Sequence, residues 1–194
     1  SCTVTSTLDC GYDFVTNEGA TVKHPGSDPV AADLAYCIVG DGLVEVGCPR
    51  GTTFTDELTI PSTVTYEGQT YTVVGIGDRG FYYNTGLTKV NMPSTLTYVG
   101  RWSFYNDRSL TEITIPDAVK EIKEYAFYGC YKAETLWLGK SLEIIGNYAF
   151  KNCAGIEELV IPDAVMEIGE HAFGGTQGYT GDKEMKLTKV TLGK

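Results

Sequence analysis

The stretch LTEITIPDAVKEIKEYAFYGCYK, Leu110 to Lys132, is one copy of a unit that the chain repeats. Its phenylalanine marks the period: Phe81, Phe104, Phe127, Phe150 and Phe173 stand 23 residues apart four times running. Other columns at that interval are apolar, among them Val90, Ile113, Leu136 and Leu159; Met92, Ile115, Leu138 and Ile161; and Ile76, Val99, Ile122, Ile145 and Ile168. Gly80, Ser103, Ala126, Ala149 and Ala172 precede the phenylalanines, so that slot must be tight. A fixed period of this length marks a solenoid, in which each coil buries its apolar column only against its neighbours.

Within a coil, Glu112 to Ile115 alternates polar and apolar, the period of a strand. Stacked coils would set such strands parallel, about 4.8 Å apart. Pro61, Pro93, Pro116 and Pro162 end the strand because proline cannot donate to the ladder. Ser62, Ser94, Asp117 and Asp163 follow in one slot, where a short polar side chain accepts a bond from a nearby backbone N–H and holds a turn. Coil four departs, with Gly139-Lys140 in place of that pair.

Residues 1–33 carry no repeat column and read as an irregular segment. Residues 34–75 read as a β-hairpin cap that includes the first repeat strand: one hairpin turns at Asp41-Gly42 and another at Glu67-Gly68. A first coil needs such a cap, since it otherwise exposes apolar side chains and unpaired strand edges. Residues 76–194 read as the repeats, interrupted by a Gly-rich surface loop around Gly174 to Asp182, after which Leu187, Val190 and Leu192 restore the strand motif. No closing cap is evident, which fits a fragment or a final coil covered by that loop. The fold class expected is mainly β: a parallel concave sheet with short helical or irregular convex turns.

The 194 residues include 15 Lys and Arg against 25 Asp and Glu, a formal charge of −10. Phosphate backbones would be repelled, so no nucleic acid is expected as partner. No apolar run approaches the roughly 18 residues needed to cross a bilayer. The chain lacks an initial Met and a signal-peptide pattern, so it reads as a mature or trimmed form. Ser1-Cys2 fits the remnant of a lipoprotein cleavage site, hence a lipid anchor, and fits equally any trimmed chain. Cys2, Cys10, Cys37 and Cys48 crowd the first quarter, point to an oxidising compartment and allow three pairings among which spacing does not choose.

The repeat is similar to the BspA-type leucine-rich repeats, whose hallmark resembles Ile113-Thr114-Ile115-Pro116, Ile122, Ala126-Phe127 and Cys130. The resemblance covers residues 58–194, including the hairpin that precedes such repeats, and it departs from the commonest leucine-rich consensus in lacking Asn or Cys just after the strand. It implies a right-handed curved solenoid. It also implies secreted or surface proteins of gut and oral bacteria, and of some protists, used in adhesion and recognition.

Several signals have plainer readings. Gly75-Ile76-Gly77-Asp78-Arg79-Gly80 spells G-x-G-x-x-G, yet no βαβ unit follows and two of its glycines fall in repeat columns, so no cofactor is expected. Cys130 and Cys153 share a column with Asn84, Asp107 and Thr176. Adjacent strands would bring their α-carbons to about 5 Å, but both side chains would point the same way, and buried free thiols are expected. No cysteine or histidine pair has metal-ligand spacing, so no metal is expected. His171 continues the slot of Trp102, Tyr125 and Tyr148 and reads as part of an aromatic stack, and no nucleophile elbow or other catalytic constellation is present.

The outward strand positions remain as a binding surface: Lys89, Asn91, Glu112, Thr114, Trp137, Glu158 and Val160. Trp137 among Thr, Asn and Glu is the residue type of a contact hot spot. A noncatalytic domain that binds a protein partner is the leading expectation. Alternatives are a structural spacer and a carbohydrate binder using Tyr82, Tyr105 and Tyr128.

Overall fold

A computed structural model describes residues 12–175 and 187–193. The chain is built of strands and turns, with no helix among the described residues. Strands β1 (Phe14–Thr16), β2 (Thr21–Lys23) and β3 (Val30–Ala31) are followed by the β4–β5 hairpin (Leu34–Gly40, Leu43–Gly47). Then come β6 (Thr55–Thr59) and the β7–β8 hairpin (Thr63–Tyr66, Gln69–Ile76). Each later coil contributes two strands: β9 (Gly86–Asn91) and β10 (Tyr98–Val99), β11 (Glu112–Thr114) and β12 (Glu121–Ile122), β13 (Thr135–Trp137) and β14 (Ile144–Ile145), β15 (Glu158–Ile161) and β16 (Glu167–Ile168). β17 (Lys189–Leu192) pairs with β15 in the expected register, Leu159 opposite Val190 and Ile161 opposite Leu192.

The 23-residue period is visible as physical stacking. The rings of Phe81, Phe104, Phe127, Phe150 and Phe173 lie almost parallel, with successive centroids 5.3, 5.0, 5.3 and 5.4 Å apart. The small slot beside them has a backbone reason: the N–H of Phe104 donates to Ala126 O at 2.7 Å and that of Phe127 to Ala149 O at 2.8 Å, so coils approach closely there. Ala126 and Ala149 are fully buried.

Two corners of each coil adopt a left-handed backbone. Arg79, Trp102, Tyr125, Tyr148 and His171 have φ of 50–59°, and Tyr83, Asn106, Gly129 and Asn152 have φ of 59–75°. Each non-glycine residue in that region costs about 1–3 kcal/mol. The first corner aligns its side chains into a ladder that offsets the cost: Arg79 lies 4.9 Å from the Trp102 ring centre, Tyr125 and Tyr148 stack at 4.8 Å, and Tyr148 and His171 at 5.4 Å. His171 thus occupies the stack expected of it.

The sheet arrangement differs from the expected one in three respects. First, the longest sheet is formed by the far side of the coils. The two-residue strands β10, β12, β14 and β16 pair in parallel one after another, β10 pairs in parallel with β8, and this ladder continues through β5 into antiparallel β4 and β1. Helical or irregular turns were expected there; the inward Ile column instead holds these residues extended, with Ile76, Val99, Ile122 and Ile145 fully buried. Second, the row of longer strands is divided into β3-β2-β6-β9, β11-β13 and β15-β17. Third, residues 14–31, expected to be irregular, form strands, because β1 finds an edge on β4 and β2 an edge on β6.

Both expected hairpins occur, Gly40 facing Leu43 across Asp41-Gly42 and Tyr66 facing Gln69 across Glu67-Gly68. Glu67 and Gly68 both have positive φ, as a turn matched to strand twist requires. Cys37 is disulfide-bonded, whereas Cys48 is a free buried thiol whose Sγ donates to Thr52 O at 2.8 Å, so the early cysteines do not form two bridges. Cys2, Cys10 and most of the 174–182 loop lie outside the described residues.

Candidate strand-face site

The outward positions of β9, β11, β13 and β15 carry the residues expected to bind, and they divide between two neighbouring grooves. Lys89, Asn91, Glu112 and Thr114 line one of about 440 Å³. Trp137, Glu158 and Val160 line another of about 740 Å³, and Asp117 borders both.

The first groove is largely self-satisfied. Lys89 Nζ lies 2.8 Å from Glu112 Oε1, a contact that raises the lysine pKa through its hydrogen bond. Asn91 Nδ2 donates to Glu57 Oε1 at 2.7 Å and to Thr59 Oγ1 at 3.0 Å, so the amide is committed across β6 and β9. Of these four residues, Thr114 is exposed and has no such bond among the described residues.

The second groove is different. Trp137 is 66% exposed and Val160 59%, above a floor that includes Leu136 and Leu138. No ladder joins β13 to β15, so the groove lies where two separate strand pairs meet. Coil four's departure from the repeat is located here. A side chain at Gly139 would bring its Cβ to 2.2 Å from Pro116 O, which no other residue type tolerates without a shift. Asp117 holds the turn as expected of its slot, but across coils: Oδ1 accepts from Lys140 N–H at 3.1 Å and Oδ2 faces Lys140 Nζ at 3.3 Å. The backbone bond first, and the ammonium second, lower the Asp117 pKa. Glu158 faces Lys189 at 3.6 Å.

Other sequence signals resolve into packing. Gly75 lies under the Tyr98 ring, whose hydroxyl donates to buried Glu45 at 3.0 Å, which explains one glycine of the G-x-G-x-x-G stretch. Cys130 and Cys153 are free and fully buried, each thiol donating to a phenylalanine carbonyl one coil earlier, Phe104 O at 3.4 Å and Phe127 O at 3.3 Å. Tyr82, Tyr105 and Tyr128 stack on one another at 5.3 and 4.9 Å. Their faces meet each other, an arrangement that favours bracing over sugar stacking. Among the described residues no group of three His, Cys, Asp or Glu side chains is placed to hold a metal.

Stacked 23-residue coils with paired strand ladders and one open, apolar-floored groove define a leucine-rich repeat module. The chain belongs to the BspA-type leucine-rich repeat family, whose model matches residues 51–180 in six copies. A leucine-rich repeat protein from Bacteroides ovatus ATCC 8483 is similar in sequence and structure, with 34% identity and a TM-score of 0.71 over 86% of this chain and 41% of that one. Two further structures share the fold: a Treponema pallidum leucine-rich repeat protein (24% identity, TM-score 0.66, 81% of this chain and 67% of that one) and a leucine-rich cell surface protein from Faecalibacterium prausnitzii A2-165 (22%, 0.52, 89% and 54%). The chain therefore spans less than half the length of the Bacteroides ovatus protein. No curated protein matches it.

Proposed function

We propose that this chain is a noncatalytic recognition module, secreted or displayed at a bacterial surface, that binds a protein partner through the concave face of a curved solenoid. Strands in residues 14–75 act as its N-terminal cap, supplying partners to both ladders of the first coil. The observation that carries the reading is Trp137: a large aromatic side chain, two-thirds exposed, standing beside exposed Val160 over an apolar groove. Burying such an anchor in a partner is how most contact energy is gained at protein interfaces. The cell surface protein from Faecalibacterium prausnitzii with the same fold agrees with the location.

The test compares immobilised chain with its Trp137→Ala variant in capturing proteins from host and bacterial surface extracts. A band captured by the parent and lost by the variant supports the reading. Identical capture by both would remove Trp137 from the binding surface.

A further inference from the structure

We propose that the groove between β13 and β15 accepts an extended peptide segment bearing lysine or arginine beside an aliphatic or aromatic residue. This rests on the strand-face reading above and adds the chemical class of the partner. The floor is apolar, with Leu136 and Leu138 beneath exposed Trp137 and Val160, while the rim is acidic, with Glu134, Glu157 and Asp163 among its lining residues. Those three carboxylates have no ion-pair partner among the described residues. The other two acids of the rim, Asp117 and Glu158, are already matched by Lys140 and Lys189. The groove thus carries three unbalanced negative charges around an exposed indole.

The neighbouring groove shows that this imbalance is local. There Lys89 and Glu112 neutralise one another. A cation entering the second groove meets both attractions at once, since Trp137 is two-thirds exposed and, among the described residues, has no ring or cation contact that would occupy its π face. The formal charge of −10 on the whole chain steers basic partners towards it and repels acidic ones. A volume of about 740 Å³ falls within the range of sites that enclose small ligands and anchor side chains.

The experiment pans a random hexapeptide phage library on the immobilised chain, on Trp137→Ala, and on a triple variant Glu134→Gln, Glu157→Gln, Asp163→Asn. All four positions are exposed, and unchanged circular-dichroism melts establish that the variants fold. The expected pool from the parent is enriched in Lys and Arg next to Leu, Val or Phe. Synthetic copies of recovered peptides should bind the triple variant about tenfold more weakly and should lose affinity with added salt. A recovered pool without basic enrichment, an empty pool, or basic peptides that bind the triple variant as tightly as the parent would overturn the charge assignment. Where peptides are recovered, loss of their binding on Trp137→Ala would then leave the groove as the site and refute only the chemistry. Peptides held equally by the Trp137→Ala chain would instead refute the groove, and with it the strand-face reading.

Discussion

Asp107 is fully buried in the column that holds Asn84, Cys130 and Cys153, and neither of its carboxyl oxygens has a hydrogen-bond partner of normal geometry. Desolvation by burial pushes its pKa well above the usual carboxylate range, offset only in part by the Asn84 backbone N–H. The folded state therefore holds the proton more tightly than the unfolded chain does. Between the ordinary aspartate pKa of 3.8 and the raised native value, the native state binds more protons, so stability falls as pH rises through that window. At pH 3 and below the carboxyl is protonated in both states and the slope vanishes.

Asp107→Asn removes the ionisation and keeps the shape. One coil earlier, Asn84 shows how an amide fits this slot: Nδ2 donates to Phe81 O at 3.1 Å and Oδ1 accepts from Phe54 N–H at 2.6 Å. An amide at 107 could make the equivalent bond to Phe104 O. Satisfying a buried polar group that is otherwise unpaired is worth about 1–3 kcal/mol. The expected outcome is a variant about 1–3 kcal/mol more stable than the parent at pH 7, with a flatter stability profile above pH 4. Urea melts at pH 3, 5 and 7 read both quantities. A variant that is less stable at pH 7, or that keeps the parent's slope, would show that the carboxylate has a partner the native fold depends on.

Phe127→Ala should cost about 3–5 kcal/mol in denaturant melts, because it removes a buried ring contacted on both faces at 5.0 and 5.3 Å. Phe173→Ala should cost clearly less, since that ring is only partly buried and stacks on Phe150 alone among the described residues; equal losses would mean that stacking order does not set the core energy. Cys48, Cys130 and Cys153 should react with a thiol reagent only on unfolding, because all three are buried and burial raises the Cys130 pKa and pushes the Cys48 thiol up to about 12. Rapid labelling of Cys48, Cys130 or Cys153 in the native chain, located by peptide mapping, would contradict their placement.

The stacked core and the aromatic ladder were readable from spacing alone, and so were the two hairpins. In the core and the ladder the neighbours of a residue are its own counterparts 23 positions away, and in the hairpins they lie a few positions away across the turn, so a one-dimensional list already contains the contact. Phe104 against Phe127, and Ala126 against the Phe104 backbone, are instances. The candidate face was readable as a set of outward positions, but its division was not. Whether Asn91 is free depends on the reach of its amide to Glu57, and Glu57 lies outside the regular interval because nine additional residues intervene.

Periodic chemistry thus dictated which side chains pile into the spine and which faces outward, because stacking repeats a local rule. The tertiary arrangement alone decided that β1 and β2 would find edges on β4 and β6, that Asp107 would be buried unpaired, and that the ladder would part between β13 and β15 beneath Trp137. Those outcomes turn on hydrogen-bond geometry and lateral side-chain reach between unlike neighbours, quantities that no repeat interval encodes.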